Sequence, residues 1–262
     1  HLISNTNSPT PIDVWVPSGT FIEPQLLDQI ALGYFKTFKN SSYNLEIEGF
    51  YKKIKNRLDY IDGAELIANN AIEQVLLNGQ ARAKGVEVLI RKNKGKLTGW
   101  IAYTLSKSEQ KTLGRTAKEV GVNNGDWYFT PYDKTHDLSI TINYQVRKKW
   151  ALNANFIYQT GQPTTYPNAQ YEFSGFSIPN YAPRNSSRLP AYHRFDVSAV
   201  YSRQKENKSY SGGQWIFGIY NLYNRQNTAS IRFQKNNNTG LNEAIMLSIF
   251  RVIPSITYNF KF

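Results

Sequence analysis

Three histidines, His1, His136 and His193, are the imidazoles available for acid–base or metal chemistry. His136 and His193 stand in the phrases THDL and YHRF, with Asp137 and Arg194 beside them. A catalytic metal centre needs about three protein ligands at compatible spacing, and no third ligand accompanies either histidine. Both therefore read as structural residues at strand starts. Asp59, Asp62 and Glu65 could approach Ca²⁺, but their spacing does not fit an EF-hand, so they read as solvated loop carboxylates. The chain carries no serine elbow, no phosphate-binding glycine loop and no paired-carboxylate motif. With no cysteine at all, disulfides and thiolate metal sites are excluded. The residues argue against an enzyme and call for no cofactor and no metal.

Recognition chemistry is better represented than catalysis. Trp15, Trp127, Tyr128, Tyr166, Tyr171 and Phe173 lie in long polar stretches, where amphipathic rings either touch an external substrate or pack the loops on one another. These six are the candidate substrate-binding residues. The formal net charge is +12, yet Lys and Arg gather in turn-like runs such as 92–96 and 147–149. Such runs read as solvated turns, so no nucleic-acid partner is expected.

The elements that would hold these residues are strands. The last ten residues, IPSITYNFKF, set Ile256, Tyr258, Phe260 and Phe262 on one parity and Ser255, Thr257, Asn259 and Lys261 on the other. This period-2 pattern gives one greasy face and one wet face. The clearest strand is 138–147, with Leu138, Ile140, Ile142, Tyr144 and Val146 against Ser139, Thr141, Asn143, Gln145 and Arg147. Strands are also expected at 27–38, 43–55, 80–90, 97–106, 152–159, 191–203, 214–233 (less regular and interrupted near 224–227) and 241–262. The stretch AELIANNAIEQVLL, within 57–78, is the best helical candidate. The mean hydropathy of −0.51 says little, because a strand that alternates lipid-facing and lumen-facing residues averages to a polar value.

About nine strands are thus joined by connections of two alternating classes. Short ones fall at 39–42, 93–95, 147–149 and 205–212; long ones fall at 57–78, 110–131 and 161–190, with 236–240 as a shorter member. Short turns on one rim and long loops on the other are the asymmetry of an outer-membrane barrel. A Greek-key sandwich has crossovers that ignore this parity. The fold class expected is all-β, an antiparallel transmembrane β-barrel segment with long extracellular loops and short periplasmic turns. On this count residues 1–26 are an extracellular loop and 27–262 supply the barrel strands.

Several phrases, in order, resemble the C-terminal part of a TonB-dependent outer-membrane receptor of the Bacteroidetes type. They include IEPQLLDQIALGYF (22–35), NLEIEGFYKKIKNRLDYIDGAEL (44–66), GQARAKGVEVLIRK (79–92), YDKTHDLSITINYQ (132–145), LPAYHRFDVSAVY (189–201) and GIYNLYNRQN (218–227). The resemblance implies a barrel of roughly twenty-two strands around an N-terminal plug, of which this chain supplies about the last nine. It implies that the plug and first barrel half belong to a separate chain or a cleaved piece, with TonB acting through the plug. Further implied are a Gram-negative outer-membrane location, contact with lipid and lipopolysaccharide, nutrient import, and a C-terminal assembly signal at Tyr258, Phe260 and Phe262. An alternative is a barrel scaffold for surface lipoproteins or a secretion complex, without TonB-driven transport.

Overall fold

Alternating side chains can build either two stacked sheets around a dry interior or one continuous wall, and the computed structural model shows the wall. It describes residues 2–4, 13–66, 69–174, 176–203, 213–236 and 242–260. Nine strands follow one another as an antiparallel meander: β1 (Leu26–Phe38), β2 (Tyr43–Tyr60), β3 (Leu76–Lys92), β4 (Leu97–Thr112), β5 (His136–Arg147), β6 (Trp150–Gln159), β7 (Tyr192–Ser202), β8 (Gln214–Tyr220) and β9 (Ile253–Asn259). Their order in the sheet is their order in the sequence. A short strand, Tyr128–Phe129, adds to the end of β4 beyond the start of β5.

Register keeps one parity together across the whole wall. Ile101 opposes Ile90 and Ile140, Ile140 opposes Phe156, and Phe156 opposes Phe195. Farther on, Ala199 opposes Phe217 and Phe217 opposes Ile256. A slip of one residue at any ladder would turn a strand's apolar set to the other face. The opposite face is a polar ladder: Thr141 donates to Asn155 at 2.9 Å and Asn153 donates to Ser198 at 3.2 Å. Ile142, Tyr144 and Tyr258 remain 42 %, 43 % and 46 % exposed, so no second sheet covers the apolar face among the described residues.

The turns explain the rims. Lys39, Asn40 and Ser41 all take positive φ, and Ser42 N–H donates back to Phe38 O at 3.1 Å, which closes the β1–β2 turn in four residues. Gly95, at φ +102°, closes β3–β4, where a side chain would be strained. Between β2 and β3, β4 and β5, β6 and β7, and β8 and β9, the chain takes long excursions, all at the opposite rim.

Three expectations are corrected. The helical candidate at 64–77 forms only a 3₁₀ turn, Ile72–Gln74, because Leu76 and Leu77 join β3, where Leu76 is buried with Leu58 and Tyr60 and Leu77 with Val122 and Tyr128. Strands β2 and β4 outrun their expected ends at Lys55 and Ser106; Asn56 takes φ +56° at a bulge between Lys55 and Arg57, and pairing resumes to Tyr60. The expected interruption of 214–233 near 224–227 begins earlier, after Tyr220, and strand resumes at Thr228. Asn221 and Asn224 adopt positive φ, and the Asn221 side chain both accepts from Arg225 N at 3.0 Å and donates to Arg225 O at 2.8 Å. That local turn ends β8 at Tyr220. A separate hairpin, Thr228–Lys235 with Asn242–Ser248, then stands in a long connection before β9.

A single-layer wall has no core of its own, and both buried apolar clusters of the described residues lie at the long-loop rim. One joins Val16 and Ile22 from the opening segment to Leu58, Tyr60, Leu66 and Leu76; the other joins Leu77, Val122 and Tyr128.

Candidate functional site

The polar side chains at the end of β2 and β4 converge on a single guanidinium. Asp59 lies on β2, and Gln110 and Thr112 on β4, all on the polar parity of the sheet. Tyr128 is paired with Gln110 and points the same way. Into this cluster comes Arg184 from the 160–191 connection. Its Nη1 donates to Asp59 Oδ1 at 2.6 Å and to Tyr60 O at 2.8 Å, and its Nη2 donates to Asp62 at 2.5 Å. The second Asp59 oxygen accepts from Gln110 at 2.6 Å and from the Tyr128 hydroxyl. Tyr128 Oη also lies 2.9 Å from Thr112 Oγ1.

Backbone contacts fix Arg184 from behind. Asn123, held at φ +50°, accepts from Arg184 N at 2.7 Å and donates to Arg184 O at 2.9 Å. Asn185 donates to Phe129 O at 2.8 Å. A second arginine repeats the device: Arg188 meets the fully buried Asp133 at 2.5 Å and its guanidinium lies 4.5 Å over Phe129, while Asp133 Oδ1 accepts from Ser108 N at 2.6 Å. The 113–135 and 160–191 connections are thereby tied to each other and to the tops of β2 and β4.

Electrostatics at this knot favour fixed charge states. Burial works against the Arg184 charge, but Asp59, Tyr60 and Asp62 outweigh it and raise its pKa. Burial, reinforced by the neighbouring Asp59 charge, pushes the Tyr128 phenol far above its ordinary value, so it stays a donor. Every carboxylate of the cluster is engaged by a cation or several donors. Such a site holds a shape; it offers no free nucleophile or base. Among the described residues no group of three or more His, Asp or Glu side chains could hold a metal ion.

The six aromatic candidates separate by position. Tyr128 is 6 % exposed inside the knot. Trp127 is half-buried, with the Arg82 guanidinium 4.1 Å from its ring centre. Tyr166 packs edge-on to Phe233 at 5.3 Å. Trp15 is 77 % exposed, and Tyr171 and Phe173, on the hairpin of Pro167–Phe173 with Phe176–Tyr181, are 55 % and 67 % exposed. Both histidines sit on the apolar parity near the long-loop rim; His136 Nδ1 lies 2.8 Å from Tyr103 Oη and His193 Nδ1 lies 2.7 Å from Tyr223 Oη. Of the C-terminal signal residues, Tyr258 packs tilted against Trp215 and Phe260 stacks on Tyr258; Phe262 lies outside the described residues. The sequence reasoning missed Arg184 and Arg188. They are the only cations of the 160–191 connection, and that isolation was the available signal.

Comparison with known proteins now bears on this geometry. The family described as TonB dependent receptor-like, beta-barrel matches residues 3–224. The chain belongs to the TonB-dependent receptor β-barrel family. No curated protein matches it. Its fold is similar to the ferric-catecholate import receptor Fiu of Escherichia coli K12 (TM-score 0.57, 19 % identity, 95 % of this chain and 30 % of that one). It is also similar to the ferripyoverdine receptor of the Pseudomonas aeruginosa outer membrane (0.56, 15 %, 80 % and 25 %) and to the outer membrane transporter YddB of Escherichia coli (0.52, 9 %, 93 % and 33 %). The chain spans about a quarter to a third of the length of these structures.

In a TonB-dependent receptor barrel the apolar parity meets lipid and the polar parity meets the lumen, which accounts for the two faces. The aromatic belts fit the same frame. Trp150 and Tyr201 pack with tilted rings 5.0 Å apart, and Trp215 and Tyr258 likewise at 4.6 Å, toward the short-turn rim. Tyr158 stacks with His193 at 6.4 Å toward the other. Trp150 and Tyr158, on one face of β6, are separated by about 26 Å along the strand at ~3.3 Å per residue, or roughly 20 Å of height once tilted. That is close to the apolar band such barrels present.

Proposed function

We propose that the chain forms barrel wall and external loop platform of an outer-membrane receptor that binds and imports a nutrient. The observation that carries this reading is the buried Arg184–Asp59–Tyr128 knot, built on the lumen parity at the long-loop rim. A wall that only spanned the membrane would have no use for loops tied so firmly above its lumen. On this reading the long connections and residues 1–26 are extracellular, and the short turns periplasmic. Trp15, Tyr171 and Phe173 then present ring surface outward, with Trp127 and Tyr166 at the base of the platform. Tyr128 holds that base together. The plug and the remaining strands complete the lumen, and TonB acts through the plug; the chain itself does no chemistry. The Bacteroidetes-type origin rests on the resemblance of its phrases.

The exposed Tyr171 and Phe173 on their hairpin favour one second reading, a surface lipoprotein seated on this rim. An affinity capture with the intact receptor, followed by mass spectrometry of bound small molecules and proteins, separates the two. Import requires a captured solute, among iron chelates, glycans and peptides, that accumulates only in cells with functional TonB. Capture of a lipoprotein with no TonB-dependent accumulation of any solute overturns import and supports the scaffold.

A further inference from the structure

The short-turn rim gathers positive charge that the wall does not answer. Segments 36–44, 91–98 and 145–151, which contain the β1–β2, β3–β4 and β5–β6 turns, hold several Lys and Arg and no Asp or Glu. Successive turns stand two strands apart, about 10 Å at ~4.8 Å per strand, so the three together span roughly 20 Å of rim. None of their cations forms an ion pair among the described residues.

The first two turns are built into one platform. Asn93 N donates to Ser42 O at 2.9 Å and Lys94 Nζ donates to Asn40 O at 2.5 Å, so the β3–β4 turn lies against the β1–β2 turn. Lys92 Nζ donates to Lys94 O at 3.0 Å and to Leu97 O at 2.8 Å. Lys39 and Lys92 both lie over the half-buried Tyr43 ring, 5.8 Å and 5.7 Å from its centre. A ring face and neutral carbonyl oxygens orient an ammonium group and cancel none of its charge. Lys39, Lys92 and Lys94 are thereby held together without a counter-charge, which concentrates positive potential at the rim. Lys96 O accepts from Gln145 N at 2.7 Å, and this bond carries the platform on to the exposed Lys148 and Lys149.

We propose that this rim binds the carboxylate-bearing polymer beneath the outer membrane, the peptide-substituted glycan of the cell wall. Three observations choose it. Charge spread over several turns suits a long polyanion rather than a single headgroup. Arg91 opposes Asn44 on the lumen parity and Lys92 opposes Tyr43 on the lipid parity, so the cations occupy both faces and the tips instead of pointing only into the bilayer. The tips 39–42, 93–96 and 147–149 bear no apolar side chain, whereas a folded protein partner needs an apolar centre to its interface. Free carboxylates on the stem peptides supply the missing anions; each exposed contact is weak, and binding comes from their number. The inference rests on the periplasmic assignment of the short turns and is independent of import.

Co-sedimentation of the intact receptor in detergent with isolated cell-wall sacculi tests it, with carboxylate-amidated sacculi as control and short-chain phosphatidylglycerol as competing headgroup. The expected result is retention on native sacculi and its loss on amidated ones. Lys39→Gln/Lys94→Gln should weaken retention about tenfold, and Lys39→Arg/Lys94→Arg should keep it, because only charge is needed. Heat-modifiable mobility on gels shows that each variant is folded. Equal sedimentation of the parent and the glutamine variant, or equal binding to native and amidated sacculi, reduces the rim to solvated turns and overturns the proposal. So does displacement by equimolar phosphatidylglycerol, or crosslinking of a periplasmic protein and no wall fragment at Lys94 in cells. Labelling of Lys94→Cys by an impermeant maleimide on intact cells would strike instead at the orientation of the wall.

Discussion

Arg184 and Asp59 form a buried ion pair at 2.6 Å across 125 residues of sequence, with side chains 5 % and 7 % exposed. Removing two charges from water costs several kcal/mol per ion, so the pair persists only because its other donors and acceptors are satisfied. Tyr60 O and Asp62 occupy the rest of the guanidinium, and Gln110 and Tyr128 occupy the rest of the carboxylate. The pair is therefore the fastener between a wall strand and a loop from four strands away.

Arg184→Met removes the cation and leaves the Asp59 carboxylate buried. The cost at the rim is about 3–5 kcal/mol. Hydrogen exchange should show the amides of 113–135 and 160–191 losing protection while β5 and β6 keep theirs. Asp59→Asn/Arg184→Met should recover part of the loss, because no unpaired charge remains. If the double variant is no better than the single, the pair is not what ties the loops.

Tyr128 makes the rim sensitive to alkali. An unfolded phenol ionises near pH 10, whereas burial and then Asp59 raise the folded value well above that. The contribution is present in full below about pH 10 and is lost as pH climbs toward the folded pKa. A titration of phenolate absorbance should therefore show one late phenol that disappears in Tyr128→Phe. Loop protection should fall with rising pH before the wall unfolds. A Tyr128 that titrates with the surface tyrosines would refute the buried network.

The wall was legible in the sequence and the rim was not, for a physical reason. Each strand repeats one local rule, apolar residues on one parity, so Leu138 to Arg147 could be read without knowing its neighbours. Connection lengths then gave topology, since every strand pairs with those beside it in sequence. The knot obeys no local rule: Arg184, Asn123 and Asp59 are ordinary polar residues until the chain closes over them. In 214–233 the interruption was legible near 224–227, but its start after Tyr220 was not, because that is set by the Asn221 side chain bonding to Arg225.

Adjacent residues on β5 test the two faces against each other. Ile142 opposes Gly99 and Ala154 on the lipid parity, and Asn143 opposes Thr98 and Asn153 on the lumen parity. Ile142→Arg should cost about 2–4 kcal/mol, as arginine does near the bilayer midplane, whereas Asn143→Arg stays near neutral because its face is hydrated. Denaturant unfolding of the intact receptor in vesicles reads both. Equal costs, or a reversed order, would mean that the faces have been assigned the wrong way round.

Tyr258 closes the last strand onto the wall. It sits in register with Trp215, their ring centres 4.6 Å apart, and Phe260 stacks on it at 5.9 Å. An aromatic pair of this kind contributes about 0.5–1.5 kcal/mol beyond area burial. Gly213 leaves the space for it, since a Cβ there would stand 2.1 Å from Tyr258 Oη. Tyr258→Ala should lower the fraction of receptor that reaches the outer membrane in heat-modifiable form, and Tyr258→Phe should restore it because the ring, rather than the hydroxyl, makes the contact. Gly213→Ala should reproduce a milder version by pushing the ring off Trp215. Should Tyr258→Ala assemble as well as the parent while Phe260→Ala does not, the assembly signal lies beyond the Trp215 contact and Tyr258 serves only as belt.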